Sequence, residues 1–182
     1  MNATVRLKTL DMVYMALFAV LIAICSWIYI PSQVPFTLQT FAVFCAVGML
    51  GGKRGTMSIL VYILLGVVGA PVFAGFQGGL GVVLGNTGGY IVGFLFMGLI
   101  YWLLTALFGK KLVVTVIAML IGLLVCYAFG TLWFMAVYSQ NNGAVGLATV
   151  LGWCVIPYIL PDLAKLAVAV ILVKRLARYV GN

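Results

Sequence analysis

The sequence predicts an all-α integral membrane protein with six transmembrane helices and both termini on the cytoplasmic side. Two observations carry this prediction. Of the 182 residues, 66% are apolar and 7% are charged, whereas charged residues make up roughly a quarter of an ordinary soluble domain. The basic residues are also confined to a few places along the chain, which are separated by long apolar stretches.

The positions of the basic residues predict the topology. Short cytoplasmic loops of membrane proteins collect Lys and Arg, so the basic places are expected inside. The connections near residues 31–37, 70–88 and 139–146 carry no charge and are expected outside, which requires an even number of crossings. Nine of the ten basic residues lie at Arg6 and Lys8, Lys53 and Arg54, Lys110 and Lys111, and Lys174, Arg175 and Arg178.

Six apolar stretches are candidates for spanning helices, which need about 20 residues, or fewer when they are packed among other helices. Pro35 and Pro161 are expected in first turns, where proline is favoured. The second and third stretches are short, so we expect them to be tilted or packed inside the bundle. The expected helices run roughly over 9–29, 35–50, 55–69, 90–108, 112–138 and 161–180, within one transmembrane domain covering residues 1–182.

Two of the connections are unusual. Residues 70–89 are rich in glycine, which disfavours a stable helix, yet they carry no charge. Irregular backbone in a membrane protein is tolerated where it lines a cavity, so we expect a lid or cavity wall here. Residues 144–160 are apolar but interrupted by Gly152 and Pro157. A further crossing there would move the last basic cluster outside, so we expect a long outer connection or a re-entrant helix.

The composition argues against several classes of function. Histidine and glutamate are absent, although most hydrolytic and metal-dependent reactions use one of them as base or ligand. The four cysteines lie in separate apolar segments without CxxC spacing, which indicates neither a disulfide framework nor a metal site. The net charge of +8 lies at helix ends rather than on one basic face. We therefore expect no enzyme, no cofactor, no metal and no nucleic acid partner.

The pair Asp162 and Lys165 is the strongest candidate for a functional site. The two residues are three apart at the start of the last apolar stretch, so they are neighbours on one helix face. A charged side chain in the middle of a membrane helix costs about 2.5–3.5 kcal/mol, and such residues tend to be functional. We expect Asp162 to accept hydrogen bonds from a ligand and Lys165 to pair with a ligand carboxylate. Mutual neutralisation at the membrane border is the alternative interpretation.

Other polar residues are expected at the same outer end of the bundle. Each alone is more often a cap or turn residue than a ligand contact. Their shared depth, together with nearby aromatic residues, is typical of a small-molecule site that is mostly apolar with a few polar groups. The polar residues are Thr37, Gln39, Asn86 and Tyr90, and the aromatic neighbours are Phe73, Trp153 and Tyr158.

The first helix carries a small-xxx-small spacing at Ala19 and Ala23. Such a spacing lets a second helix approach closely. The residues alone leave open whether that second helix lies within the bundle or in a partner protein.

Several stretches, spread over essentially the whole chain, resemble the biotin-specific S components of energy-coupling factor (ECF) transporters, the BioY family. They are VPFTLQT at 34–40, GKRG at 52–55, GAPVFAG at 69–75, GGLG at 78–81, GNTGGY at 85–90 and PDLAK at 161–165. Two details differ from the family pattern. Asn86 stands where proline is common, and Leu160-Pro161 precedes Asp162 where Pro-Gly is expected.

The resemblance implies a high-affinity subunit that captures biotin at the extracellular side of a prokaryotic cytoplasmic membrane. It implies delivery through partners, namely a transmembrane coupling subunit (T component) and two ATPase subunits. It implies docking of the coupling subunit through Ala19 and Ala23. The biotin-binding residues implied by position are Asn86, Tyr90, Asp162 and Lys165, followed by Gln39 and Thr37.

Three other functions stay open from the residues alone. A secondary transporter would use Asp162 as a proton site, although no inverted repeat is detectable. An intramembrane enzyme lacks a nucleophile–base pair. A structural adaptor would leave the glycine-rich segment and the Asp162–Lys165 pair unexplained.

Overall fold

The computed structural model describes residues 9–180, with side chains described up to residue 176. Of the basic residues that carry the topology prediction, Arg6, Lys8 and the Arg178 side chain lie outside this part. The described helices are α1 (Thr9–Trp27), α2 (Gln39–Leu50), α3 (Gly52–Val68), α4 (Leu80–Leu84), α5 (Gly88–Phe108), α6 (Leu112–Asn142), α7 (Leu147–Cys154) and α8 (Ile156–Val180). The described strands are β1 (Tyr29–Ile30) and β2 (Phe36–Thr37), and a 3-10 turn covers Ala74–Phe76.

Several of these helices have the length and composition of membrane spans. In the described part of the chain, four stretches qualify: Thr9–Trp27, Gly88–Phe108, Leu112–Asn142, and Leu147–Leu176, which combines α7 with most of α8. Helix α2 is apolar but shorter. The chain is therefore a helical protein with multiple candidate spans, and the count of six crossings stays a prediction.

Helix α2 forms the centre of the fold. Every side chain from Ala42 to Val47 is at most 2% exposed, as expected of a helix that is apolar on all sides and surrounded by others. It packs along α8, α3 and α1, while α5 packs along α6 and α3. The expectation that the short second helix lies inside the bundle is thus confirmed.

The last helix begins earlier than predicted. It begins at Ile156 rather than at Pro161, and Pro161 lies inside it. Pro157, at the second helical position, occupies the first turn, where the missing N–H of proline removes no helical hydrogen bond. The sequence prediction gave that role to the wrong proline. The preceding segment also contains a helix, α7, and only a break at Val155 separates the two.

The connection between α1 and α2 also differs from the prediction of a purely helical fold. Instead of helices reaching residue 29 and restarting at 35, it contains an antiparallel hairpin with Tyr29 opposite Thr37 and Ile30 opposite Phe36. The Thr37 hydroxyl accepts a hydrogen bond from the backbone N–H of Gln39 at 3.2 Å, and α2 begins there. The glycine-rich segment is likewise not wholly irregular, because it contains the 3-10 turn and α4.

The two ends of the bundle differ in charge. Lys53 and Arg54 lie in the first turn of α3, and Lys110 and Lys111 lie between α5 and α6. Arg54 forms an ion pair at 3.2 Å with Asp11 in the first turn of α1, so the start of α1 lies at this basic end. The hairpin and the 69–87 loop join helices at the opposite end, where no basic residue occurs in the loops.

Candidate ligand-binding site

A cavity lies beneath the hairpin and the 69–87 loop, at the end of the bundle opposite the basic turns. Its volume, measured for the centre of a water-sized sphere, is about 90 Å³. Ligand pockets for drug-sized molecules have volumes of about 300–1,000 Å³, so a ligand of that size requires the loops or side chains to move apart. Its lining includes Thr37, Gln39, Thr40, Tyr62, Phe73, Gln77, Tyr90, Phe94, Tyr127, Tyr158, Asp162 and Lys165.

The Asp162 carboxylate is the most heavily hydrogen-bonded group in this cavity. The residue is 2% exposed. Its Oδ1 atom accepts hydrogen bonds from Lys165 Nζ at 2.8 Å and from Thr40 Oγ1 at 2.9 Å, and its Oδ2 atom accepts one from the Tyr127 hydroxyl at 2.6 Å. A carboxylate offers about four acceptor positions, so Asp162 retains capacity for one further donor.

The Lys165 ammonium is equally well supplied with partners. Besides the Asp162 carboxylate, it donates to the Thr37 backbone carbonyl at 2.7 Å and to Thr40 Oγ1 at 3.2 Å. It also lies 4.2 Å from the centroid of the Phe36 ring, a cation–π contact. An ammonium has three N–H donors, and all three are used. A ligand carboxylate must therefore replace one of these acceptors to reach Lys165.

The floor of the cavity is built from α2 and α3. Gln39 Nε2 donates to the Tyr62 hydroxyl at 2.6 Å, and the Tyr62 ring meets the Phe73 ring edge to face at 5.6 Å. Gly66 makes this arrangement possible. A Cβ atom at position 66 would lie 2.0 Å from Cζ of Phe73, so any larger residue would displace the ring from the cavity.

A similar close approach positions Tyr90 on the side of α5. A Cβ atom at position 130 would lie 2.2 Å from the Tyr90 ring, so glycine in α6 lets that ring lie against the neighbouring helix. The Tyr90 hydroxyl lies 3.3 Å from Thr131 Oγ1, a long hydrogen bond between the two helices. The ring therefore contributes an apolar wall with its polar tip already partnered.

The loops above the cavity are tied to the helices. Tyr158 of α8 is hydrogen-bonded to Ser32 at 2.6 Å and donates to the Val34 carbonyl, which holds the hairpin over the cavity. On the other side, Trp27 Nε1 donates to the Pro71 carbonyl at 2.9 Å, and the Trp27 ring stacks on Phe76 at 5.0 Å. These few contacts close the cavity and are the ones that must rearrange for a larger ligand.

The structure brings most of the predicted site residues together. Thr37, Gln39, Tyr90, Asp162 and Lys165 all line the cavity. Their role in binding stays a prediction. Among the described residues, no three of His, Cys, Asp and Glu cluster closely enough to hold a metal ion.

The remaining predicted positions lie elsewhere. Asn86 is half-buried in the turn between α4 and α5, and its neighbour Thr87 lines the cavity in its place. Trp153 lies away from the cavity, against Tyr138 at 6.0 Å. Of the predicted aromatic neighbours, Phe73 and Tyr158 do line it.

The predicted docking role of Ala19 and Ala23 needs correction. The two residues are 1% and 5% exposed, so they face the interior of the chain, where α1 packs against α2 and α3. Of the two uses of a small-xxx-small spacing, packing within the bundle is the one observed. The outward face of α1 carries Ala16, Val20 and Ile24.

Sequence reasoning missed the hydroxyl groups that support the charged pair. Thr40 and Tyr127 bind Asp162 directly, and Tyr62 binds Gln39. For Thr40 the usable signal was a hydroxyl group within an apolar helix, because such a group needs a buried hydrogen-bond partner. Thr40 also lies three residues after Thr37, so the two fall on the same side of the chain near the start of α2. Nothing in the sequence indicated that Tyr127, in the middle of α6, lies at the same depth as Asp162.

Comparison with known proteins agrees with this geometry. The BioY family model matches residues 1–182, the full length of the chain. The chain belongs to the BioY family. Its resemblance to that family, first seen in the short motifs, is thereby confirmed.

Individual relatives cover nearly the whole of this BioY-family chain. A probable biotin transporter BioY of Pyrococcus horikoshii is 41% identical over 171 residues, covering 93% of this chain and 98% of the relative. The biotin transporter BioY of Thermotoga maritima is 37% identical over 164 residues, covering 89% and 92%. A crystal structure of the S component for biotin from an ECF-type ABC transporter matches with a TM-score of 0.82 and 28% identity, covering 97% and 95%.

The two buried charges lead to a prediction about the stability of this BioY-family chain. The substitution Asp162→Asn leaves the Lys165 ammonium buried without a counter-charge, and removing one partner of a buried ion pair lowers the free energy of unfolding by about 3–5 kcal/mol. We expect Asp162→Asn and Lys165→Met each to lower the thermal unfolding midpoint of the ligand-free protein in detergent. The double variant should recover most of the loss, because both charges are then absent.

The control for this measurement is Lys110→Met, which removes a charge from an exposed position at the basic end and should leave the midpoint nearly unchanged. A single variant of the buried pair that unfolds like Lys110→Met would contradict the prediction that each buried charge requires the other in the folded protein.

Proposed function

We propose that this chain is the biotin-binding S component of an ECF-type ABC importer, and that biotin binds in the cavity around Asp162 and Lys165. The observation that carries the proposal is a buried charge pair in a cavity whose other walls are mainly apolar and aromatic. Charged residues within membrane-spanning segments tend to mark substrate or ion sites. The names of the relatives, which are biotin transporters, supply the identity of that substrate.

The chemistry of biotin matches the groups in the cavity. Its ureido ring has two N–H donors and a carbonyl, and the unused acceptor capacity of Asp162 suits such a donor. The apolar bicyclic ring suits the walls formed by Phe73 and Tyr90. The valerate carboxylate suits Lys165, where it would replace the Thr37 carbonyl as acceptor. Asn86 would join the site from its turn when the 69–87 loop rearranges.

The proposed topology follows from the charges. Helices α1, α2, α3, α5, α6 and α8 would form the six crossings of a single transmembrane domain over residues 1–182. The basic turns after α2 and α5 would lie in the cytoplasm with both termini, which puts the cavity at the extracellular face of a prokaryotic cytoplasmic membrane. Capture from outside then requires opening of the hairpin and the 69–87 loop.

Partners are needed to supply energy in this proposal. The chain has no GxxxxGK[ST] phosphate-binding motif, so it would not hydrolyse ATP and would have no enzyme activity of its own. A transmembrane coupling subunit and two ATPase subunits would drive delivery of biotin. The coupling subunit would dock on the outward face of α1, where Val20 and Ile24 are 54% and 44% exposed.

A titration of the purified chain tests the proposal directly. We expect isothermal calorimetry in detergent to give a saturable one-to-one isotherm with biotin and no heat with thiamine or riboflavin. Protein shown to be folded and free of bound ligand that gives no heat with biotin would contradict the proposed substrate. Biotin uptake into vesicles that contain the chain without ATPases, driven by a pH gradient, would instead favour a secondary transporter.

Two ligands can separate the role of Lys165 in binding from its role in protein stability. We expect Lys165→Met to weaken biotin binding by about 10- to 100-fold, the value of a hydrogen bond to a charged group. Biotin amide, which lacks the carboxylate charge, should lose much less affinity. A change in protein stability affects the affinity for both ligands equally. Equal losses of affinity for biotin and biotin amide would therefore contradict the proposal that Lys165 binds the ligand carboxylate.

The docking surface is tested by bulky substitutions on opposite faces of α1. We expect Ala16→Trp and Val20→Trp to abolish co-purification with the coupling subunit while biotin binding by the isolated chain is retained. Ala19→Trp should instead lower the unfolding midpoint and biotin binding, because position 19 is 1% exposed. A stable complex formed by the Ala16→Trp/Val20→Trp double variant would refute this surface.

A further inference from the structure

A second, larger concavity lies on the outside of the bundle, between α6 on one side and α7 and α8 on the other. Its volume is about 640 Å³, measured as for the ligand cavity. Helix α7 packs against both α6 and α8, but α6 and α8 do not pack closely against each other along this side. The groove is lined by residues such as Leu124 and Leu132 of α6, Leu147 and Leu151 of α7, and Ile159 and Leu163 of α8.

The chemistry of the groove excludes water as its occupant. Its lining is aliphatic apart from Tyr127 and Thr131, and both hydroxyls already have partners, Asp162 and Tyr90. A water molecule needs two to four polar partners to occupy a buried site. Leu124 and Leu132 of its lining are well exposed, so the groove is open to the surroundings of the bundle and its aliphatic lining suits an apolar occupant.

The position of the groove along α6 identifies that occupant. From Leu120 to Leu132 the lining extends about 18 Å along the helix, beginning about 12 Å from its first residue. This range lies within two candidate membrane spans, Leu112–Asn142 and Leu147–Leu176. On α6 the groove straddles the middle of the helix, and on α8 its lining residues Ile159 and Leu163 lie in the first turns, toward the end of the bundle that contains the ligand cavity. Hydrocarbon chains of the bilayer are the molecules that surround the protein at this depth.

The groove and the ligand cavity share one wall. Tyr127 lines both of them. Its hydroxyl points to Asp162 in the ligand cavity at 2.6 Å. The Tyr127 side chain is therefore part of the wall between a polar, charged site and an aliphatic groove.

We propose that the groove binds one acyl chain of a phospholipid from the leaflet on the cavity side, and that Tyr127 is the partition that keeps this chain out of the ligand cavity. The bound chain contacts the outer face of the Tyr127 ring, while the hydroxyl on the other side holds the Asp162 carboxylate. The part that concerns the partition rests on the proposed function of the cavity, and the part that concerns the lipid does not.

The lipid site is tested by electron paramagnetic resonance in phosphatidylcholine nanodiscs with a spin label on the acyl chain. We expect Leu124→Trp and Leu132→Trp each to restrict about one acyl chain fewer per protein than the wild type does, because tryptophan fills the groove. The matched controls are Leu103→Trp and Leu107→Trp on α5. Positions 124 and 132 are 64% and 67% exposed, and positions 103 and 107 are 54% and 65% exposed, but the control positions lie outside the groove.

Two results would overturn the lipid site. One is a restricted fraction that is the same in groove and control variants, provided that circular dichroism shows all four to be folded. The other is a dimeric wild-type protein that becomes monomeric in Leu124→Trp and Leu132→Trp, since a second copy of the chain would then occupy the groove.

The partition is tested by adding biotin to the same nanodiscs. We expect biotin to leave the restricted signal of the wild type and of Tyr127→Phe unchanged, because the ring is present in both. In Tyr127→Ala the chain can enter the cavity, so biotin should displace it and release the restricted signal. A signal in Tyr127→Ala that does not respond to bound biotin would refute the partition. Failure of all variants to bind biotin would refute the proposed function and leave the lipid result standing.

Discussion

The main constraint on the site is that the buried charges of Asp162 and Lys165 must keep each other and their hydrogen-bond partners. Two charges buried among apolar helices are unfavourable unless their geometry is good and their remaining donors and acceptors are satisfied. Here the partners come from three other places: the Thr37 carbonyl in the hairpin, the Thr40 hydroxyl in α2 and the Tyr127 hydroxyl in α6. The pair thus fixes the relative positions of α2, α6, α8 and the hairpin.

Close packing of α2 makes that network possible. Its side chains from Ala42 to Val47 are almost completely buried, so this helix has no lipid-facing side and its first turn is held firmly against α8. Glycines allow similarly close packing elsewhere in the site. Gly66 and Gly130 let the Phe73 and Tyr90 rings lie directly on neighbouring helices, which makes the cavity walls apolar without adding bulk.

Much of this arrangement was predictable from the sequence, and the exceptions have physical causes. The Asp162–Lys165 contact follows from a spacing of three on one helix, and the central position of α2 follows from a short stretch that is apolar after Thr40. Periodicity did not reveal which side of α1 faces inward, because both sides are apolar, so Ala19 and Ala23 were assigned to the wrong face. The α8 start was missed because two prolines competed for one role. Tyr127 was missed because its partner lies on another helix.

The closed cavity has a consequence for selectivity. Every donor of Lys165 is already used, so a ligand carboxylate must replace one of its present acceptors while the ligand also separates the hairpin from α8. Asp162 accepts three hydrogen bonds and has room for one further donor. A ligand without a carboxylate would leave the Lys165 ammonium short of an acceptor once the hairpin carbonyl has moved, and sites built on such groups reject incomplete analogues strongly. The network that makes two buried charges tolerable in the empty protein is therefore also what would make the site selective.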